Sequence, residues 1–210
     1  MKPIILIGAG GHAVSCIDVI EKSKKFKVVG LVGTKMEIGT KVLGYEVIGD
    51  EDILPLLKRK VKNAIVAVGQ ITTPENRISI FSKLEKLEFN LPIIISPFAL
   101  VSEHAKLGKG TLVFHGAHIN AGTTVGMNCI INTNALIEHD SRIGNHCHIS
   151  TAAVLNGNVS VGDETFIGSG AILRNGISVG NRSVIGMGSQ ISKSIPHDST
   201  ITLRENSWLP

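Results

Sequence analysis

A small α/β domain followed by a stacked, coiled prism of parallel β-structure is the fold class this sequence predicts, and three observations carry it. Residues 1–96 alternate short aliphatic runs with amphipathic segments, a glycine turn follows the first of those runs, and from Val101 onward the chain repeats itself every six residues.

The elements follow in order. PIILIG (3–8) is a continuous aliphatic run closed by glycine, the pattern of a parallel strand covered on both faces. GGHAVSCIDVIEKS then predicts a helix entered through glycines, and KVVGLV (27–32) a second strand. LGYEVIGDEDILPLLK supplies a short connecting strand and a helix opening at Asp50, a favoured N-cap residue. NAIVAV (63–68) is another strand, PENRISIFSKLEKLE a helix, and PIIIS (92–96) a last strand leading to Pro97. This alternation predicts βαβ organisation around a small Rossmann-like parallel sheet.

The turn GAGGHA, Gly8 to Ala13, approximates G-x-G-x-x-G/A between a strand and a helix. Gly8, Gly10 and Gly11 would expose backbone amides, and with the helix N-terminus they suit a phosphate. Three readings stay open: a turn without ligand, a pyrophosphate site for a nucleotide-linked substrate, and a dinucleotide site. The last lacks its usual acid, because the second strand ends in Gly33 and Thr34.

Stepping by six from Val101 reaches Leu107, Val113, Ile119, Val125, Ile131, Ile137, Ile143, Ile149, Leu155, Val161, Ile167, Leu173, Val179, Ile185 and Ile191, all sixteen Ile, Val or Leu. Four residues after each stands mostly a small residue, such as Ala117, Cys129, Ala135, Ser141, Cys147 or Ala153. Helices repeat every 3.6 residues and half-buried strands every two, so neither accounts for a period of six. A coiled strand does: one aliphatic points inward per flat face, a small residue fits the corner, and three faces make a coil that stacks on the next. Such a prism has terminal edges and flat faces that associate, so a homo-oligomer is expected.

Composition narrows the classes. No run of 18 apolar residues occurs and the start has no signal-peptide cleavage pattern, so neither membrane insertion nor export is expected and a cytoplasmic location is. Cys16, Cys129 and Cys147 are unpatterned and odd in number, which suits reduced buried thiols. The first 96 residues carry 14 Lys/Arg against 10 Asp/Glu and the remainder 7 of each, while aromatics make up only 4%. A modest basic surplus without interleaved aromatics argues against a nucleic-acid partner.

The repeat resembles that of the hexapeptide-repeat acyltransferases, which implies a left-handed parallel β-helix and a homotrimer. A βαβ domain opening with GAGGHA, joined to a hexapeptide prism that carries IEHD and a second His nine residues later, resembles the bacterial UDP-4-amino-sugar N-acetyltransferases and sialic-acid O-acetyltransferases. The resemblance divides the chain into a nucleotide-sugar-binding domain (1–96), a β-helix acyltransferase domain (97–195) and a C-terminal tail (196–210). It implies acetyl-CoA as co-substrate, a UDP-sugar as partner and the 4-amino group of an amino-dideoxy sugar as acceptor. The alternatives are a hydroxyl acceptor, as in sialic-acid O-acetylation, a non-catalytic sugar-nucleotide-binding protein, and a zinc hydrase. No metal is expected.

On the matching positions the resemblance makes His139 the general base and Asp140 its orienting acid. It places Asn132, His148 and Gly157 at the acetyl-CoA site, with His148 on the acetyl carbonyl, and puts His12 beside the sugar nucleotide. The assignment of His139 is chemically sound, since an imidazole can take a proton from an attacking amine and a carboxylate fixes its tautomer. On an 18-residue coil His139 stacks between Ala121 and Gly157, half a coil from His148; the filled core separates the two within one subunit, and a junction between subunits would unite them. Cys147 takes a packing position, His115 and His118 are expected as solvent-facing corners or trimer contacts, and His146 is expected to be exposed.

Overall fold

A computed structural model of the chain describes residues 1–202. In the N-terminal part, strands β1 (Lys2–Ile7), β2 (Phe26–Val32), β3 (Lys41–Val42), β4 (Tyr45–Gly49) and β5 (Asn63–Val66) form one sheet in the order β3-β4-β2-β1-β5, parallel except for the β3–β4 hairpin. Helices α1 (Gly11–Ser23), α2 (Leu54–Lys60) and α3 (Glu75–Lys86) complete it. Residues alternate across β1: Ile4 and Leu6 pack with α1 residues Ala13, Ile17 and Ile20, whereas Ile5 and Ile7 pack with Leu54, Ile80 and Phe81. Both faces are therefore covered, which explains the unbroken aliphatic run. Asp50 caps the turn ahead of α2 by accepting Asp52 N–H at 3.0 Å.

From Ile94 the chain forms a left-handed parallel β-helix of two-residue strands in three flat sheets of six, five and seven strands. Each strand pairs with the one 18 residues on, as Leu136 with His118 before it and Val154 after it. The second residue of each strand is the inward aliphatic, and the column Ile119, Ile137, Leu155, Leu173 is buried. Every sixth residue from Gly110 to Gly188 has positive φ, including Asn128, Asn134, Asp140, Asn158 and Gly170. That left-handed corner favours Gly, Asn and Asp.

The small-residue column next to it has a polar duty. Thr111 Oγ1, Cys129 Sγ, Cys147 Sγ and Thr165 Oγ1 donate to the carbonyls of Gly126, Gly144, Gly162 and Gly180 at 2.8 to 3.1 Å. The two cysteines act as hydroxyl substitutes in this ladder, and burial pushes the Cys147 thiol well above its usual range, which makes it a packing group rather than a nucleophile.

Two elements differ from the sequence-based expectation. Ile94–Ile95 does not join the N-terminal sheet but pairs with Leu112–Val113 in the prism; Ile95 lies six residues before Val101, and that register wins over its strand-like apolar run. Beyond residue 195, Thr200–Ile201 adds a further strand to the seven-stranded sheet by pairing with Val184–Ile185. The rest of the expected tail, 203–210, lies outside the described residues. No helix among the described residues is long and apolar enough to cross a membrane.

The two halves share a core. Ile94, Leu112, Phe114 and Ile130 on the seven-stranded sheet pack against α1 and β1, so this side of the prism is covered by the N-terminal domain. Arg77 of α3 crosses the junction fully buried, donating to Val68 O (2.5 Å), Asn128 O (2.8 Å) and Asn128 Oδ1 (3.0 Å).

Candidate active site

Three groups of predicted residues take three places. His139 and Asp140 form an exposed corner between the six- and five-stranded sheets, with His139 Nδ1 3.0 Å from Asp140 Oδ2. A carboxylate only accepts, so Nδ1 carries the proton and Nε2 is the free basic nitrogen. Glycines one coil away on each side make room: a Cβ at Gly157 would lie 2.6 Å from His139 Nε2, and one at Gly122 would overlap Asp140 Oδ1. The Gly157 N–H makes no backbone hydrogen bond among the described residues, leaving a donor close beneath the imidazole. A concavity of about 720 Å³ runs along the outward side of the five-stranded sheet, from Arg142, Ser160 and Ser178 to the following corner at Gly144, Gly162 and Gly180.

The glycine turn forms the second place. Gly8, Gly10, His12, Gly33, Ala67 and Val68 help line a cavity of about 280 Å³. It opens at the C-terminal ends of β1, β2 and β5, where the chain leaves β1 to either side, the crevice in which open α/β sheets bind ligands. At Gly10 and Gly11 no atom comes within 4 Å of the place a Cβ would occupy, so a ligand can reach their backbone. Gly8 is constrained instead: its φ is 122° and a Cβ would meet the Ala67 carbonyl at 2.8 Å. Gly8→Ala is expected to cost about 2 kcal/mol through strain and overlap, read as a lowered urea midpoint; an unchanged midpoint would show that the turn relaxes freely.

The third place is the junction, where His12, Asn132 and His148 meet. His148 is buried on the seven-stranded sheet, opposite the corner that carries His139. Its Nδ1 lies 2.7 Å from Gln70 O and its Nε2 3.2 Å from Asn132 Nδ2. The carbonyl requires a proton on Nδ1, and burial pushes the pKa down to about 4, so the ring is neutral and Nε2 accepts from Asn132. Asn132 Oδ1 takes Thr133 N–H at 2.8 Å, which fixes the orientation of the amide. In this arrangement neither ring nitrogen of His148 has a free N–H, and Asn132 Nδ2 is the donor to Nε2. His12 stacks near Phe114 and His148, its ring centroid 5.3 and 6.5 Å from theirs. Burial, then Arg77, then His148 lower its pKa to about 3. Its buried Nε2 has no partner among the described residues, nor have the amide atoms of buried Gln70.

One chain thus brings His12, Asn132 and His148 together, and His139, Asp140 and Gly157 together, but holds the two sets apart across the prism core. Gln70 and Arg77 were not foreseen, since a polar residue in a loop and a cation on an amphipathic helix carry no mark of burial. His115 and His146 are half-buried rather than open to solvent. His115 bridges Ser96 Oγ and Asp18 Oδ2 at 2.5 and 2.7 Å, and His146 meets Asn128 Nδ2 at 3.0 Å and the Phe81 ring edge-on. His118 is exposed, as expected. Among the described residues no three His, Cys, Asp or Glu converge as a metal site would require.

Comparison with known proteins follows this division. Residues 3–84 match the PglD N-terminal domain, and residues 158–193 the hexapeptide repeat of succinyl-transferase. A mutant of perosamine N-acetyltransferase from Caulobacter crescentus, solved in complex with CoA and GDP-perosamine, is 31% identical with a TM-score of 0.89, the match covering 96% of this chain and 94% of that one. The chain belongs to the hexapeptide-repeat acyltransferase family. A second member, the acetyltransferase domain of PglB from Neisseria gonorrhoeae FA1090 in complex with acetyl coenzyme A, is 31% identical with a TM-score of 0.86, covering 96% of each chain. WeeI from Acinetobacter baumannii AYE shares the fold at 20% identity, TM-score 0.74, over 96% of this chain and 97% of that one. No curated protein sequence matches. As a hexapeptide-repeat acyltransferase the protein is an enzyme, and each of these two acetyltransferases matches it over 96% of its length.

Proposed function

We propose that the protein transfers acetyl from acetyl-CoA to the 4-amino group of a nucleotide-diphosphate-linked amino-dideoxy sugar by direct attack. The observation that carries this reading is the His139–Asp140 pair, with Nδ1 held and Nε2 free above the unpaired Gly157 amide. The amine attacks the thioester carbonyl while His139 Nε2 removes its proton, and Asp140 stabilises the imidazolium. The acyl oxygen, gaining charge, accepts from Gly157 N–H. As the tetrahedral centre collapses, the C–S bond breaks and the leaving thiolate takes the proton back from His139. The concavity beside Arg142 offers room for the coenzyme, and the crevice at Gly8–His12 offers backbone amides to the diphosphate.

The same reading places the site between protomers of a homotrimer, so that the His139 corner of one prism faces the Asn132 and His148 side of its neighbour. Its support is the outward row Leu100, His118, Leu136, Val154 and Ile172 on the six-stranded sheet, apolar except at His118, of which Leu100 is 61% and Ile172 42% exposed. Such an apolar stripe favours association. The solved relatives carry CoA with GDP-perosamine in one case and acetyl coenzyme A in the other.

A thiol-release assay with acetyl-CoA and a panel of UDP- and GDP-linked amino sugars and sialic acids tests the proposal. Turnover is expected with a nucleotide-linked 4-amino sugar; turnover confined to sialic acid would move the acceptor to a hydroxyl, and none with any acceptor would remove the catalytic reading.

A further inference from the structure

The basic surplus of the first 96 residues gathers at one end of the N-terminal domain. In the parallel sheet Lys2 stands beside Phe26 and Pro3 beside Lys27, the Lys2 N–H donates to Lys25 O, and Lys62 directly precedes β5. Lys2, Lys25, Lys27 and Lys62 therefore lie along the edge where the strands begin. Helices α1 and α2 finish at the same edge and add Lys22, Lys24, Arg59 and Lys60. All eight are exposed, and none forms an ion pair among the described residues. Cations suit the C-terminal ends of helices, but Lys2, Lys27 and Lys62 cap no helix.

Acids at this end are fewer and mostly engaged. Glu21 accepts from the Tyr45 hydroxyl at 2.8 Å, Glu46 faces Lys41 across the β3–β4 hairpin, Glu85 pairs with Lys109 of the prism, and Glu88 is exposed. The glycine-turn cavity lies at the opposite end of the sheet, and no Lys or Arg lines it among the described residues. The six residues of β1, about 20 Å of strand, separate the two ends, so these cations do not serve a phosphate in that crevice. Beside them the surface is apolar and concave: Met1, 78% exposed, lines a hollow of about 490 Å³ with Phe26, Val28 and Tyr45, and Glu21, Lys24 and Lys27 complete it.

We infer that this end of the N-terminal domain docks on the surface of an anionic lipid bilayer. The inference is independent of the acetyl-transfer reading. Negatively charged headgroups form a flat field of charge that a row of lysines matches, and the methylenes of those side chains, with the apolar hollow between them, can rest against the boundary of the acyl region. Two other occupants fit less well. A second copy of the chain would set the same lysines against themselves in a two-fold contact. A nucleic acid would call for aromatic side chains free to stack, whereas here Phe26 is half-buried and Tyr45 is held by Glu21. Docked this way, the domain turns its glycine-turn crevice away from the lipid and leaves it open to solution.

Co-sedimentation of the intact protein with lipid vesicles tests this. Vesicles holding about one-third phosphatidylglycerol in phosphatidylcholine are expected to bind roughly tenfold or more tightly than pure phosphatidylcholine at ~0.1 M salt, and the margin should shrink severalfold at ~0.5 M. Lys25→Glu combined with Lys62→Glu should remove most of that margin. Lys106→Glu combined with Lys193→Glu makes the same change of net charge at exposed positions on the prism and should keep it within about twofold. All four side chains are exposed, so both variants should melt with the wild type. Wild-type protein that binds the two kinds of vesicle alike would overturn the inference. Equal losses in the two variants would trace the attraction to net charge rather than to this edge, and would overturn it as well. Tighter binding to a DNA duplex than to the anionic vesicles, abolished by the Lys25→Glu and Lys62→Glu pair, would replace the bilayer with a nucleic acid.

Discussion

His139→Ala is expected to lower the acetylation rate by roughly 10²- to 10⁴-fold, the range for loss of a general base. The side chain is 61% exposed at a prism corner, and the substitution removes no core packing, so the melting temperature should stay within a degree or two of wild type. A lost base acts on the chemical step, so the fall should appear in kcat with KM for the sugar nucleotide little changed. Asp140→Asn should give a smaller loss, because the imidazole keeps its place over Gly157 and loses only the charge that steadies the imidazolium. A His139→Ala protein with wild-type kcat would mean that the proton goes elsewhere, and the neutral, buried His148 would be a poor substitute, since its Nδ1 is committed to Gln70 and its Nε2 to Asn132.

The prism was legible because its core is one-dimensional. A single inward position recurs at fixed spacing, and a Leu, Ile or Val at each of sixteen steps leaves no competing helix or sheet period. The apolar run around Ile95 misled where the hexad did not: Ile95 obeys the six-residue register, while its neighbours read as a sheet strand. The His139–Asp140 pair was legible as a local motif, and its geometry needed only adjacent residues. Its supports were partly hidden: Gly157 was recognised, but Gly122 matters because it stacks one coil below Asp140, a relation visible only once the 18-residue register is drawn. What stayed illegible depends on contacts between the two halves. Arg77 looks like any cation on an amphipathic helix, yet it is buried on Asn128, 51 residues away in sequence. His115 and His146 sit at corner positions that ordinarily face water, and they are partly covered because the N-terminal domain docks on that side.

That docked junction carries the second large expectation, a loss of stability in acid. His148 has a folded pKa near 4 and His12 near 3, both below the ordinary histidine value of 6.5 and both depressed first by burial. Below about pH 6.5 the unfolded chain therefore binds protons that the folded one refuses, and stability falls as pH falls. For His148 the contribution is fully present above pH 6.5 and is lost progressively as pH drops through the folded value near 4. The difference corresponds to about 3 kcal/mol, and His12 extends the decline toward pH 3. Arg77 contributes to the effect: it stays charged, its field reaches both rings and it has no carboxylate among its described hydrogen-bond partners, so any proton added nearby meets an existing cation. Urea denaturation at about pH 7 and about pH 4.5 measures the slope. His148→Asn supplies the control, because it retains a polar group toward Gln70 but cannot titrate. The wild type should lose on the order of 2 to 3 kcal/mol more than this variant over that interval, while ordinary carboxylate protonation affects both alike. Equal losses in the two proteins would mean that water reaches the junction and keeps the imidazole near its solution behaviour, and the neutral His148 tautomer assigned from the Gln70 carbonyl would then have to be abandoned.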